Sequence, residues 1–364
     1  MSLQNWTVLM PSLFDPITIG DLNLPSRIIM APMTRNRATM PGRVPNALMK
    51  EYYVQRASAG AILTEGVSVA PEGVGYPATP GIWSEEQVAA WRDVTDAVHR
   101  AGGRILLQLW HVGRISDPVY HDGRPPVAPS AIRANGHVSL LRPVRDYVTP
   151  RALETEEVEG VVEAFRKGAE NAKRAGFDGV EIHGANGYLF DQFLQDSTNM
   201  RTDRYGGSLE NRARLLLEVT DAVVSVWGPG RVGMHLAPRA DAHDVGDSDL
   251  PTTFSHVARE LGRRKIAFIM ARESQVAPRL GPALKAAFGG VYIANEGLDL
   301  ETAGRLLENG EADAAAFGKL FIANPDLPER IRLGAPLNRW GSETFYDGGP
   351  DGYTNYPALA QAAE

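Results

Sequence analysis

Eight short apolar runs alternate with stretches of helical hydrophobic spacing along the 364-residue chain. The runs cover residues 27–31, 61–65, 104–110, 179–183, 232–236, 267–271, 290–294 and 314–318. Strands that alternate with helices form a parallel sheet, because each helix returns the chain to the edge where the previous strand began. Eight such units suffice to close a barrel. The pattern predicts an α/β protein with the (β/α)8 TIM-barrel fold.

The helical stretches carry start and stop signals. Ser84 and Gln87 form a capping box at the start of one stretch, and Gly102 follows its end. A second stretch places apolar residues at helical spacing from 158 to 172 and stops at Gly176. Both stretches precede a predicted strand, as a repeated strand–helix unit requires.

Two segments fall outside the repeat. Residues 14–24 alternate apolar and polar positions around Gly20-Asp21, which predicts a β-hairpin that could plug the bottom of the barrel. Residues 112–150 are long and rich in proline, and loops of that size are usually functional. We interpret 112–150 as a lid over the strand ends. No linker divides the chain, so we predict one domain over 1–364, with 1–9 as an extension or tag.

Composition excludes several classes of protein. The chain has no cysteine, so disulfides, thiolate metal sites and thiol nucleophiles are ruled out, and we expect no metal. Its net charge of −7 without a basic run argues against nucleic acid. No apolar run reaches the ~18 residues that a membrane span needs, and no signal peptide is evident. We expect a cytoplasmic protein that acts on small molecules.

Three hydrogen-bonding side chains follow the fourth predicted strand. His183 and Asn186 are three residues apart, so both could point at one carbonyl or nitro oxygen. Tyr188 could offer a proton to the same molecule from another direction. Barrel enzymes keep their chemistry at the carboxyl ends of the strands. We therefore interpret these three residues as catalytic.

Other strand ends should face the same cavity. The ends of the first three strands carry Pro32, Met33, Thr34, Gly66, Gln108 and Trp110. The seventh and eighth ends, with Asn295 and Gly318-Lys319, precede helical segments, where backbone N–H groups bind phosphate in barrels. A phosphate on one side and polar groups along the rim would suit a flat phosphorylated cofactor.

The chain resembles the old yellow enzymes, a family of flavoprotein ene-reductases. The segments that carry the resemblance are 13–14, 27–35, 52–57, 108–114, 183–188, 201–212, 321–327 and 352–357. Each segment alone is a weak signal, but together they run almost from end to end. Within the family the chain is most similar to the bacterial N-ethylmaleimide reductase and xenobiotic reductase B group.

The resemblance implies an enzyme with non-covalent FMN that passes hydride from NADPH or NADH to an electrophilic acceptor. The acceptor would be an activated alkene, a nitrate ester or a nitro compound. His183 and Asn186 would bind its oxygen, and Tyr188 would protonate the alkene carbon. The resemblance also implies flavin contacts from Pro32, Met33, Thr34, Gly66, Gln108, His235, Arg272, Ala294, Asn295, Gly318 and Lys319. It implies pocket walls from Tyr76, Trp110 and Tyr346.

Two positions depart from the wider family. An arginine usually ends the fifth strand beside the flavin N1 and O2 atoms, and here His235 stands in its place. Arg272 or Arg239 could supply the missing charge. The eighth strand usually ends Gly-Arg, and here it ends Gly318-Lys319, which keeps the charge but loses the bidentate fork.

Two other functions fit parts of the pattern. A barrel enzyme acting on a phosphorylated metabolite would use the phosphate site for its substrate, but a suitably placed lysine near the strand centres is missing. A catalytically silent flavin-binding protein would not need His183, Asn186 and Tyr188. The sequence leaves open the choice between NADPH and NADH, the physiological substrate, the stereochemistry and whether the chain is a monomer or a homo-oligomer.

Overall fold

The structure is a computed structural model that describes residues 12–239, 242–346 and 349–359. Eight parallel strands close into a barrel, which confirms the predicted fold. These strands are β3 (Ile28–Met30), β4 (Ala61–Ser68), β5 (Ile105–Trp110), β8 (Gly179–Gly184), β9 (Val232–Leu236), β10 (Phe268–Arg272), β11 (Val291–Asn295) and β12 (Ala314–Phe317). Four short strands lie outside the barrel: β1 (Ile17–Ile19), β2 (Leu22–Leu24), β6 (Val127–Ala128) and β7 (Arg151–Ala152).

Helices follow the barrel strands along the chain. They are α1 (Ala47–Val54), α2 (Glu85–Arg100), α3 (Thr155–Arg174), α4 (Leu189–Leu194), α5 (Leu209–Trp227), α6 (Leu250–Arg263), α7 (Gly281–Phe288), α8 (Leu300–Glu308), α9 (Lys319–Ala323) and α10 (Leu327–Leu333). The capping box predicted at Ser84 and Gln87 is present at the start of α2. Helix α3 ends at Arg174, just before Gly176 with φ +82°.

Alternation along the strands produces two hydrophobic cores. Val180 and Ile182 on β8 pack outward in a large core that also contains buried residues of the surrounding helices. Leu106, Phe268 and Met270 belong to a smaller core inside the barrel. Successive residues of a strand point to opposite faces, so β3, β4, β5, β10, β11 and β12 contribute to both cores, whereas β8 and β9 contribute only to the outer one.

Strand β4 is longer than the sequence pattern predicts. The predicted run ends at residue 65, but β4 continues to Ser68 past an irregularity in its pairing with β5 between Leu63 and Gly66. Gly66 therefore lies within the strand, opposite Gln108. A Cβ atom at Gly66 would lie 2.7 Å from the Trp110 ring, so only glycine permits this packing.

The predicted hairpin closes the bottom of the barrel. Strands β1 and β2 pair antiparallel, with Ile19 opposite Leu22. The Asp21 N–H donates to the carbonyl of Gly230, two residues before β9. Ile19, Leu22 and Leu24 are buried in the same core as the inward residues of the barrel. The hairpin thus plugs the amino-terminal end of the strands.

Segment 112–150 packs on aromatic residues at the opposite end. Val112, Ile115 and Tyr147 are buried in one cluster with Trp110 and Tyr188. The segment therefore covers the carboxyl end of the barrel, as the sequence predicts. Its action as a lid and the division into a single domain stay predictions, and the predicted extension 1–9 lies outside the described residues.

Candidate active site

A cavity of about 360 Å³ opens at the carboxyl ends of the strands. We call it the main cavity. It is lined by Pro32, Met33, Thr34, Gly66, Gln108, Trp110, His183, Asn186, Tyr188, His235, Arg272, Asn295, Gly318, Lys319, Ile322, Phe345 and Tyr346. Most residues singled out in the sequence therefore meet in one place, although they come from strand ends spread over some 300 positions.

His183 is a neutral hydrogen-bond donor. Burial lowers the pKa of His183 well below its usual value, and the nearby His235 ring lowers it further. Its Nδ1 accepts from the backbone N–H of Ala185 at 3.3 Å, so the proton of the neutral ring sits on Nε2. The ring stacks on Trp110 with centroids 6.0 Å apart. His183 can therefore donate one hydrogen bond to a ligand without carrying a charge.

Asn186 is held in an unusual backbone conformation by a neighbouring loop. Its φ of 59° lies in the left-handed region. Nδ1 of His243 donates to the Asn186 carbonyl at 2.7 Å, and Nη1 of Arg272 donates to its Oδ1 at 3.1 Å. Because Oδ1 already accepts from Arg272, the hydrogen bond that Asn186 can offer a ligand is a donation from Nδ2.

Tyr188 shares a short hydrogen bond with Tyr76. The two hydroxyl oxygens are 2.7 Å apart, and both rings are buried. Tyr76 also stacks on Trp110 at 5.4 Å. The sequence resemblance implies that Tyr76 is a wall of the pocket, and this stays a prediction; in the structure its ring contacts Trp110 and Tyr188, two residues that line the main cavity. Tyr76 contacts the proposed acid directly.

Gln108 and His235 carry polar groups at the inner side of the cavity. Nε2 of Gln108 lies 2.7 Å from Oε2 of Glu181 and 3.3 Å from Nδ1 of His235. Burial lowers the pKa of His235 to about 3, so the ring is neutral near pH 7. With Nδ1 accepting from Gln108, the ring proton is on Nε2, which is buried without a partner among the described residues. A bound ligand with an acceptor atom would satisfy this donor.

The two arginines considered as substitutes for the missing charge differ in position. Arg272 lines the main cavity and forms an ion pair with Glu296 at 3.1 Å. Arg239 is not among the lining residues, and it lies 3.9 Å from the carboxylate of Glu273. Arg272 is therefore the one of the two that can act at the site. Ala294 is buried in the outer core, so its side chain does not face the cavity.

A second cavity of about 490 Å³ continues from the first at the ends of β11 and β12. The two cavities share Pro32, Met33, Arg272, Asn295, Gly318 and Lys319. Lys319 is the first residue of α9, and its Nζ lies 4.8 Å from the Trp340 ring centroid. This continuous space has the Lys319 cation at one end and the Nε2 donors of His183 and His235 at the other. It fits a long flat molecule with a phosphate tail.

Several lining residues were missed in the sequence. Ile322 and Phe345 line the main cavity, and Trp340 lines the second. Arg35 holds the segment of Phe345 by donating from Nε to its carbonyl at 2.9 Å. No local pattern marks these residues, because they enter the site through contacts with distant parts of the chain.

The fold and the cavities define a class of protein, namely barrel oxidoreductases that hold a phosphorylated flavin at the strand ends. Residues 12–338 match the model of the NADH:flavin oxidoreductase / NADH oxidase family. The chain belongs to this family, that of the old yellow enzymes. It is an FMN-dependent oxidoreductase that takes hydride from NAD(P)H.

Individual relatives agree with this assignment. 12-Oxophytodienoate reductase 1 of Oryza sativa subsp. japonica is 43% identical, over 97% of this chain and 94% of its own. Morphinone reductase in complex with tetrahydroNAD has a TM-score of 0.93 and 48% identity, over 97% of this chain and 99% of that one. The old yellow enzyme homologue of Zymomonas mobilis also has a TM-score of 0.93, with 44% identity over 96% and 100% of the two chains. The narrower N-ethylmaleimide reductase and xenobiotic reductase B assignment stays a prediction.

Within the described ranges, no helix is long and apolar enough to span a membrane. The same ranges contain no cluster of His, Asp and Glu side chains suited to a metal ion. Both findings concern residues 12–239, 242–346 and 349–359, and neither bears on where in the cell the protein acts.

Proposed function

We propose that this ene-reductase acts on alkenes conjugated to an oxygen-bearing group, such as enones and maleimides, and also on nitrate esters and nitro compounds. The observation that carries the proposal is the convergence of His183, Asn186 and Tyr188 on one cavity beside the residues assigned to the flavin. Two relatives, 12-oxophytodienoate reductase and morphinone reductase, are named after compounds that carry an oxo or ketone group. This supports an oxygen-bearing substrate here.

The chain's own residues would hold the cofactor along both cavities. Thr34, Gly66 and Gln108 would contact the ring system, with Pro32 and Met33 beside it. Asn295, Gly318 and Lys319 would bind the phosphate where β11 and β12 end. Nε2 of His235, which has no hydrogen-bond partner among the described residues, would donate to an acceptor atom of the ring system. When bound, FMN supplies the hydride acceptor and donor that amino-acid side chains lack.

Arg272 would supply positive charge near the cofactor in place of the usual arginine. His235 cannot supply it, because its lowered pKa keeps the ring neutral near pH 7. Arg272 lines both cavities, and it also fixes the amide of Asn186. A single guanidinium would thus link cofactor electrostatics to the orientation of the substrate-binding amide.

His183 and Asn186 would activate the substrate through its oxygen. Nε2–H of His183 and Nδ2–H of Asn186 would donate to one carbonyl or nitro oxygen. As hydride reaches the β-carbon, electron density moves onto that oxygen, and both hydrogen bonds strengthen. Donors that bind the developing charge more tightly than the ground state lower the barrier.

Tyr188 would deliver the proton in alkene reduction. Its O–H bond breaks and a C–H bond forms at the α-carbon, while the O–H electron pair stays on the phenolate. Burial raises the pKa of Tyr188 well above its usual value, and the hydrogen bond with Tyr76 offsets part of that rise. If Tyr76 donates, the Tyr188 proton is left to face the substrate.

The visible spectrum of the purified protein tests the proposal. We expect a yellow protein that NADPH bleaches under anaerobic conditions and that an enone or N-ethylmaleimide then reoxidises. The double variant His183→Ala, Asn186→Ala should still bleach with NADPH but reoxidise far more slowly. A protein that cannot be reconstituted with FMN, or that no nicotinamide bleaches, would contradict the proposal.

A further inference from the structure

Glu181 is a buried acid beneath the main cavity to which the proposed function gives no role. It lies on β8 two residues before His183, and both point into the barrel, since Val180 and Ile182 pack outward. Two residues along a strand span about 7 Å, so Glu181 sits roughly that far below the cavity wall. It does not line the cavity itself.

The surroundings of Glu181 do not favour a charge. The side chain is completely buried, and Oε1 has no hydrogen-bond partner among the described residues. Its pairing neighbours are Gln108 on β5 and Gly233 on β9, neither of which titrates. An unpaired buried carboxylate is strongly disfavoured relative to the neutral acid, so the acid keeps its proton.

The hydrogen bond to Glu181 orients an amide that faces the cavity. Nε2 of Gln108 donates to Oε2 of Glu181 at 2.7 Å, and it also lies 3.3 Å from Nδ1 of His235. With its NH2 group engaged on this inner side, Gln108 turns Oε1 toward the cavity. A ligand there meets an acceptor from Gln108 and a donor from Nε2 of His235.

We propose that Glu181 is a positioning residue that, as a neutral acid, fixes the Gln108 amide and keeps negative charge away from the ring system of the bound cofactor. The proposal rests on the assignment of Gln108 to the flavin. It extends that assignment because it makes the redox potential depend on a group that touches neither cofactor nor substrate.

Ionisation of Glu181 at alkaline pH should affect the bound cofactor. Burial raises the pKa of Glu181 to about 8, so the residue becomes charged only above that pH. The other titratable groups on this side are His183 and His235, which stay neutral because burial lowers their pKa values, and Arg272 at the end of β10. A negative Glu181 would oppose addition of electrons to FMN. The potential should therefore fall more steeply with pH above about 8 than below it.

Infrared spectroscopy of the apoprotein tests the protonation state without any catalytic activity. The wild type should show a carbonyl band of a protonated carboxylic acid that disappears as the pH rises through about 8. Glu181→Gln should remove this band. Glu65, whose pKa burial raises to about 7, is an internal control: below that pH its band should persist in Glu181→Gln. If Glu181→Gln keeps all the carboxylic-acid bands of the wild type, the proposal is wrong.

The redox potential of the FMN-loaded protein tests the coupling. Between pH 7 and 9.5 the equilibrium ratio of reduced to oxidised flavin should fall about tenfold more in the wild type than in Glu181→Gln. A tenfold change corresponds to one pKa unit. Glu308→Gln, an exposed change on α8, should follow the wild type. Equal curves for wild type and Glu181→Gln would refute the coupling.

A second variant keeps the proposal testable if Glu181→Gln does not fold. Gln108→Leu removes the amide that donates to Glu181, so it should shift the frequency of the same infrared band in the apoprotein. An unshifted band would refute the positioning role. Failure of the wild type to bind FMN would instead count against the proposed function and would leave the apoprotein infrared results interpretable.

Discussion

Single residues at the site act as donors of fixed direction. Nδ1 of His183 is occupied by the Ala185 N–H, and Oδ1 of Asn186 is occupied by Arg272. Each side chain therefore has a donor left for the ligand. Because burial holds the pKa of His183 far below neutrality, its donation should not change between weakly acidic and weakly basic solution. Such a site binds substrates through an acceptor oxygen.

Replacement of Tyr188 by phenylalanine should affect the reduction of enones and of nitrate esters differently. We expect Tyr188→Phe to slow reoxidation by an enone by about 10²- to 10⁴-fold, the usual contribution of a positioned acid. Nitrate-ester reduction should change little, because it needs no proton at carbon. Stopped-flow reoxidation of the reduced protein by each acceptor measures both effects.

Tyr147→Phe is the matched control for that experiment. Tyr147 is buried in the same aromatic cluster as Tyr188 but does not line the main cavity. It should leave both rates near those of the wild type. Equal losses on the two acceptors in Tyr188→Phe would refute its role as the proton donor.

At the scale of elements, the hairpin contributes stability and the strand ends contribute chemistry. Ile19 is 2% exposed and packs inside the barrel, so Ile19→Ala should lower the free energy of unfolding by about 2–5 kcal/mol. FMN affinity should not change, because the hairpin lies at the opposite end from the site. Thr18→Ala, on the exposed face of the same strand, is the control. If denaturant unfolding gives equal midpoints for the two variants, the hairpin does not stabilise the barrel through Ile19.

The start of α9 is predicted to bind the cofactor phosphate. We expect Lys319→Ala to weaken FMN binding about tenfold, as the loss of a hydrogen bond to a charged group does, and to leave riboflavin binding nearly unchanged. Lys319→Arg should restore affinity for FMN. Fluorescence titration of the apoprotein with both flavins measures the difference, and equal losses for FMN and riboflavin would place the phosphate elsewhere.

At the scale of the whole molecule, closure of the barrel produces one reaction site. Segment 112–150 packs over its open end, and the hairpin fills the other. Nicotinamide and acceptor must then use the same cavity in turn. We expect parallel lines in double-reciprocal plots and competition between an unreactive tetrahydronicotinamide and the enone. Intersecting lines, or non-competitive inhibition, would show that both molecules bind at once.

Much of the fold follows from local pattern. All eight predicted strands are present within a few residues of their expected bounds, because strand periodicity, turn residues and caps are properties of neighbouring positions. The extension of β4 to Ser68 was missed, since an irregularity in pairing depends on the partner strand. His183, Asn186 and Tyr188 could be singled out together because they lie within six positions at the end of one strand.

The sequence by itself thus determined the barrel, the hairpin and the end of the barrel that carries the chemistry. Only the tertiary structure decided which distant groups touch. Tyr76 and Tyr188 are 112 positions apart, Gln108 and Glu181 are 73 apart, and Arg272 and Asn186 are 86 apart. Their contacts exist because barrel closure brings the strand ends to one rim. No periodicity along the chain indicates which side chains meet across that rim, nor that Oε1 of the buried Glu181 has no hydrogen-bond partner among the described residues.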